Sequence, residues 1–280
     1  MAIKMSPSMT VMQNAAARAS KRLLRDFNEV EQLQVSVKGP GDFVSQADIR
    51  AEQSLRDDLS KARPGYGLLM EESGSSGGDK WEWRWIVDPL DGTSNFLHGI
   101  PQWAISIGLE RRTEAGSEIV AGCVYAPATD EMFWAEKGQG AFVNDRRLRV
   151  SGRRNLTEAM FATGIPFAIT PPGERLAFAR TLGTLMPQVS GIRRFGAASL
   201  DLAWVAAGRF DGFWEFRLKP WDIAAGLVIV REAGGYATTP DGSDPLASGD
   251  VVAANPHMHA MLCAAARDGI AAGRPQPNAA

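Results

Sequence analysis

The sequence predicts an α+β fold on three observations: an amphipathic helical stripe near the N-terminus, a glycine-bounded run of β-prone segments in the middle, and alternating helix and strand signals beyond Ser151. Met12, Ala16, Ala19, Leu23 and Phe27 recur at three- and four-residue intervals after Ser8 and Thr10, the stripe of a helix that buries one face. A polar Gly39-Pro40-Gly41 segment separates it from a second helix, opened by Ser45-Gln46-Ala47-Asp48, carrying Ile49, Leu55 and Leu59, and stopped by Arg63-Pro64-Gly65. Asp48 therefore falls in a first helical turn.

Tyr66 to Met70 reads as a short strand ending at Glu71-Glu72-Ser73. A Ser/Gly-rich loop from Ser73 to Gly78 leads to a second β-prone run, Trp81 to Val87, which also ends in an acid, Asp88. Strands are predicted at Ala104 to Glu110, Ile119 to Ala126, Met132 to Ala135 and Ala141 to Val143. Beyond Ser151 the sequence predicts helices around Pro172 to Leu185, Ala198 to Gly208 and Trp221 to Ala233, with strands through Phe210 to Phe216 and Val251 to Ala254. The division expected is an N-terminal unit over 1–147, with paired helices on an antiparallel sheet, a C-terminal unit over 148–270, and a disordered tail over 271–280 containing Gly273-Arg274-Pro275-Gln276-Pro277.

The 280 residues suffice to bury a large core and a cleft. With 30 basic against 32 acidic residues there is no global field to draw the chain to nucleic acid or anionic lipid, so none is expected as a partner. Only Cys123 and Cys263 are present, too few for a disulfide framework or a thiolate zinc site, which fits the cytoplasm. No apolar run approaches the roughly 20 residues of a membrane span. His98, His257 and His259 are too scattered for a zinc motif and read as surface or partly buried side chains. A bound metal would need oxygen ligands.

The segment Trp85-Ile86-Val87-Asp88-Pro89-Leu90-Asp91-Gly92-Thr93-Ser94-Asn95-Phe96 carries that chemistry. An apolar strand delivers Asp88, Pro89 fixes the backbone, Gly92 permits a tight turn, and a helix beginning near Thr93 would present free N–H groups to an anion. Asp88 and Asp91, three residues apart across a turn, can face one locus, where their repulsion calls for cations. Hard oxygen ligands select Mg²⁺, with Mn²⁺ as a substitute. Read locally, Asp-Pro-Leu-Asp-Gly is also an ordinary type I turn, Asp48 a capping-box partner of Ser45, Glu71 and Glu72 solvated charges, and Asp222 a helix-start acid favoured by the dipole. Trp103, Cys123 and Ala104-Ile105-Ser106-Ile107 read as core.

Five blocks in order make the chain resemble the inositol monophosphatase family of lithium-inhibited, metal-dependent phosphatases over nearly its whole length. They are Asp42 to Asp48, Glu71-Glu72-Ser73, Asp88 to Phe96, Gly196-Ala197-Ala198-Ser199, and Trp221-Asp222-Ile223-Ala224-Ala225-Gly226. The resemblance implies a five-layer αβαβα stack and two to three Mg²⁺ ions. One would be held by Glu71, Asp88 and the Leu90 carbonyl, a second by Asp88, Asp91 and Asp222, and a weaker third by Glu71 and waters. It also implies that Thr93 with Asp48 orients and deprotonates the attacking water, making Asp48, Thr93 and Glu71 catalytic. Substrate contacts would come from Asp91, Gly92, Thr93, Gly196, Ala197, Ala198 and Glu215, with the N–H groups of Gly92 and Thr93 receiving phosphate oxygens. Lys38, near the metal-site loop, is a weaker candidate. A homodimer and lithium inhibition are implied by resemblance alone.

Glu215 matches the family glutamate that accepts hydrogen bonds from inositol hydroxyls, so a small polyol phosphate, above all inositol 1-phosphate, is the expected substrate. Ala197 departs from the Thr or Ser of many relatives. The alternatives are a histidinol-phosphate phosphatase, a fructose bisphosphatase or a nucleotide 3′-phosphatase; outside catalysis, the alternative is a regulatory protein on an inactive phosphatase fold.

Overall fold

The structure, a computed structural model, describes residues 5–29, 35–39, 42–77, 81–114, 116–166 and 170–273, with backbone alone over 35–39 and 42–45. Helix α1 (Pro7–Asn28) starts where the Ser6 hydroxyl accepts the Met9 N–H at 3.1 Å, with Pro7 at a position that needs no donor. It buries Met9, Met12, Ala16, Ala19 and Leu23 against α2 (Gln46–Ala62) and the first sheet. Ile49, placed by the sequence on the buried stripe of α2, is 45% exposed; Ala47, Ala51, Leu55 and Leu59 form that stripe instead. Strands β1 (Val35–Gly39) and β2 (Asp42–Ser45) flank the Gly-Pro-Gly segment as an antiparallel pair the sequence did not suggest.

An eight-stranded sheet, ordered β10-β9-β8-β7-β6-β5-β3-β4, takes every strand from residues 67–147. Its members are β3 (Gly67–Met70), β4 (Gly74–Ser76), β5 (Trp83–Asp91), β6 (Ala104–Thr113), β7 (Gly116–Ala126), β8 (Glu131–Glu136), β9 (Gly140–Val143) and β10 (Arg146–Arg147). Two expectations change here. The stretch Ser73 to Gly78 is not all loop, because β4 pairs antiparallel with β3 at the sheet edge; and β5 starts at Trp83 and runs through Asp88 to Asp91 with an irregularity between the two acids. The sheet is also not purely antiparallel, since β3 and β5 run parallel.

The second sheet, ordered β12-β11-β13-β15-β14, combines β11 (Met160–Thr163), β12 (Gly191–Arg193), β13 (Gly212–Glu215), β14 (Tyr236–Thr238) and β15 (Val251–Ala254). Strands β11, β12 and β14 have no counterpart in the sequence reading, nor does the last helix, α7 (His259–Gly273). That helix reaches into the stretch assigned to a disordered tail, so residues 271–273 are helical; 274–280 lie outside the described residues. The remaining helices are α3 (Thr93–Leu97), α4 (Pro172–Leu185), α5 (Ala198–Ala206) and α6 (Pro220–Glu232).

The layers are α1 and α2, the eight-stranded sheet, α5 and α6, the five-stranded sheet, then α4 and α7, an αβαβα stack. Close approach of α6 to the first sheet depends on glycine. A Cβ on Gly122 would lie 2.5 Å from the Ala225 carbonyl oxygen, and one on Gly108 would lie 2.8 Å from the Ala224 Cβ. The start of α6, and Asp222 with it, is thereby brought down onto the end of β5.

Candidate active site and metal centre

Alternation along β5 decides which residues meet. Trp85 and Val87 pack outward with α1 and α2, whereas Ile86 packs inward with Ala224 and Val228 of α6. Asp88 lies on the inward face with Ile86, and its pairing partner Ser106 donates to the Trp221 carbonyl at 3.2 Å, tying that level of the sheet to the α6 start. On the parallel neighbour β3, Leu69 packs inward, so Glu71, one step past the strand and joined by its N–H to the Val87 carbonyl, takes the same side. Asp222 waits in the first turn of α6, its carboxylate accepting the Lys219 N–H at 2.7 Å.

The acids are near enough to act on one another's charge. Burial, then the charges of Glu71, Asp91 and Asp222, hold the Asp88 carboxyl well above the usual carboxylate range. Burial, then Asp91, with further contributions from Glu71 and Glu215, does the same to Asp222. Asp91 is pushed by burial to about 6, restrained by hydrogen bonds at the start of α5: its Oδ2 accepts the Ser199 N–H at 2.7 Å and the Ser199 hydroxyl at 2.5 Å. That helix end offers aligned N–H groups and a positive dipole, the environment an anion prefers.

Among the described residues, no three His, Cys, Asp or Glu side chains stand close enough together to chelate an ion as they are. Each aspartate is turned to a protein donor, Asp88 to the Leu90 N–H at 2.9 Å, Asp91 to Ser199, Asp222 to Lys219. The donor set nonetheless fits a hard cation. It is all oxygen, Asp88 and Asp91 are buried, and the mutual repulsion of its members is what a divalent ion relieves.

Above this cluster the Thr93 hydroxyl lies 3.0 Å from Asp48 Oδ1 and 3.0 Å from the Leu90 carbonyl; its single proton goes to one of these acceptors at a time. Asp48 is fully buried in the first turn of α2. The turn needs its glycine, since Gly92 has φ +90° and a Cβ there would meet the Gln102 carbonyl at 2.7 Å and the Ala197 Cβ at 3.2 Å. The same contact places Gly196-Ala197-Ala198 against the motif. Glu215, at the end of β13, lies over Gly164, and burial lifts its carboxyl to about 8, with Asp91 adding to the rise and Arg194 opposing it.

Every predicted site residue whose side chain is described thus belongs to one neighbourhood; the Lys38 side chain lies outside the described residues. Sequence reasoning gave no role to Ser199, which grips Asp91, or to Asn95, whose Nδ2 donates to the carbonyls of Gln102 at 2.7 Å and Phe195 at 2.6 Å and staples the motif to the substrate loop. Both lay inside the quoted blocks, but only tertiary contacts reveal their work.

A model of the inositol monophosphatase family matches residues 4–271. The chain is 53% identical over 268 residues to an inositol-1-monophosphatase of Mesorhizobium japonicum, covering 95% of this chain and 98% of that protein. It is 44% identical to a putative Nus factor SuhB of Neisseria meningitidis serogroup B, covering 92% and 97%. Among solved structures, the extragenic suppressor protein suhB of Bartonella henselae superposes with a TM-score of 0.89 at 51% identity, covering 94% of this chain and all of that one.

Proposed function

The chain belongs to the inositol monophosphatase family, and from that premise we propose that it hydrolyses inositol 1-phosphate to inositol and inorganic phosphate. It is a metal-dependent phosphoric monoester hydrolase. The observation that carries the reading is that Glu71, Asp88, Asp91 and Asp222 lie near enough to repel one another, with Asp88 and Asp91 buried, in the neighbourhood of Thr93 and Glu215.

Two to three Mg²⁺ ions are proposed, held by Glu71, Asp88 and the Leu90 carbonyl, by Asp88, Asp91 and Asp222, and more weakly by Glu71. When bound, Mg²⁺ supplies positive charge against the phosphate oxygens and acidifies a water molecule. The chain's own residues do the rest. Thr93, with its proton directed to Asp48, keeps lone pairs free to accept from the attacking water, and Asp48 is the carboxylate that takes up the proton. Phosphate oxygens are received by backbone N–H groups at Gly92 and Thr93, with Gly196, Ala197 and Ala198 walling the other side. Glu215 accepts hydrogen bonds from ring hydroxyls.

Family membership extends the proposal to lithium sensitivity, a homodimer and a cytoplasmic location. Among the described residues, no helix is long and apolar enough to cross a membrane. The test is phosphate release with Mg²⁺ from inositol 1-phosphate, histidinol phosphate, fructose 1,6-bisphosphate and 3′-phosphoadenosine 5′-phosphate. The expected result is the highest kcat/KM on inositol 1-phosphate. A higher value on another ester reassigns the substrate, and release from none of them returns the regulatory alternative.

A further inference from the structure

Gly164 follows the last residue of β11, and Glu215 is the last residue of β13. The two strands run parallel with Thr163 opposite Trp214, so Gly164 and Glu215 come side by side at the next level. The Thr163 hydroxyl donates to the Trp214 carbonyl at 2.7 Å and ties the strands together at this end. On the other flank of β13 the partner of Glu215 is the buried Val251 of β15. The Glu215 side chain leans the opposite way, across β11. A Cβ built on Gly164 would have the Glu215 carboxyl carbon and both carboxylate oxygens as its three nearest atoms, all of them in overlap.

Gly164 differs from the glycines that the fold itself requires. Gly92 and Gly122 face backbone carbonyls, so a side chain at either would move main chain. Gly164 has no left-handed φ, and what a Cβ there would strike is the far end of a flexible side chain. Glu215 is partly exposed and Ile165, next to Gly164, is 51% exposed, so a displaced carboxylate can swing towards solvent. The chain can therefore carry alanine at 164 without rebuilding the sheet, but not with the Glu215 carboxylate where it is. A displacement on the order of 1 Å takes an acceptor out of hydrogen-bond range of a hydroxyl held elsewhere in the site.

Resting on the phosphatase reading, we propose that Gly164 is a positioning residue for substrate choice: its missing side chain gives the Glu215 carboxylate a seat against β11 and so sets where the hydroxyls of a polyol phosphate find their acceptor. Gly164 acts only through Glu215. The phosphate end of the site is built on other elements, β5 and the starts of α5 and α6. Filling the seat therefore changes which ester is preferred.

The experiment compares inositol 1-phosphate with phenyl phosphate, an ester without hydroxyls, in the full-length Mg²⁺-loaded wild-type protein and in Gly164→Ala, Glu215→Ala and the double variant. Gly164→Ala is expected to melt close to wild type. Its kcat/KM on inositol 1-phosphate relative to phenyl phosphate should fall at least about fivefold, the loss of one hydrogen bond, mainly through a higher KM for inositol 1-phosphate. With Glu215→Ala already in place, Gly164→Ala should change that ratio by less than about twofold, because no carboxylate is left to displace. Equal losses on both esters, an unchanged ratio, or the same fall in the Glu215→Ala background overturn the role of Gly164. If Gly164→Ala does not fold, the double variant decides. One that folds supports the seat, since removing the carboxylate relieves the overlap, and one that does not fold overturns it. Wild-type protein that releases phosphate from neither ester overturns the phosphatase reading as well, so the two failures are distinguishable.

Discussion

Replacing Asp91 by asparagine should make the metal-free protein more stable and the enzyme inactive, a pairing that a merely structural aspartate would not produce. The Asp91 carboxyl titrates at about 6 in the folded chain against an ordinary 3.8. At 1.36 kcal/mol per tenfold, that rise corresponds to about 3 kcal/mol of folding free energy lost when the group ionises. Because the folded value is the higher one, the stabilisation is complete below about pH 4 and is lost as the pH rises through about 6. Near neutral pH the wild type bears the full cost unless an ion offsets it. Asparagine keeps the shape, and its carbonyl oxygen can accept the Ser199 N–H and hydroxyl as Asp91 does. Thermal unfolding in EDTA at about pH 7.5 should therefore show Asp91→Asn melting higher by up to roughly 5–10 °C, the equivalent of about 3 kcal/mol in a chain of this size. The difference should vanish at about pH 4. Mg²⁺ should raise the melting temperature of the wild type more than that of the variant, and turnover should fall at least about 100-fold, the loss of roughly 3 kcal/mol of transition-state stabilisation. A variant no more stable than wild type in EDTA, or one stabilised equally by Mg²⁺, would refute the reasoning.

Thr93→Val removes the hydroxyl beside Asp48 at nearly constant volume, and kcat should fall roughly 10²-fold or more with little change in melting temperature; a drop in melting temperature that accounts for the lost activity would make Thr93 structural. Gly92→Ala places a Cβ 2.7 Å from the Gln102 carbonyl at φ +90°, so a cost of about 1–3 kcal/mol in unfolding free energy and loss of phosphate release are expected together. Chelation should abolish phosphate release and Mg²⁺ should restore it; retained activity in EDTA contradicts the ion-binding reading. Millimolar-range lithium should inhibit Mg²⁺-supported release, and an unchanged rate would separate this chain from the family expectation.

What the sequence made legible is what short segments carry whole. The helix stripe of α1, the acid at the end of a buried strand, and the five ordered blocks each lie within a few consecutive residues, so periodicity and motif suffice. Three-residue strands such as Gly74–Ser76 and Tyr236–Thr238 have no period to detect; their pairing with a neighbour makes them strands. Helix α7 escaped for the opposite reason. Met261, Ala264 and Ile270 surround the buried stripe of Leu262, Cys263, Ala266 and Gly269 with further apolar or small residues, so no polar face marks its turn. Ser199 and Asn95 act on partners about a hundred residues away, and nothing local announces such contacts.

The position of Asp222 joins folding to catalysis. The sequence places it in a helix start more than a hundred residues from Asp88, where a dipole-favoured acid is unremarkable. What brings it to the other carboxylates is the absence of side chains at Gly108 and Gly122, which lets α6 settle on β6 and β7, and at Gly226, where a Cβ would lie 2.5 Å from the Leu202 side chain and push α5 away. The apolar contacts of Ala224 and Val228 with Ile86 and Ile119 then hold three mutually repelling acids together. Core packing supplies the free energy that repulsion removes, so the acids are gathered in one region without an ion, each aspartate held by a protein N–H. Substitutions that loosen this helix-sheet contact should therefore weaken metal affinity in proportion, even though none of these residues touches the ion.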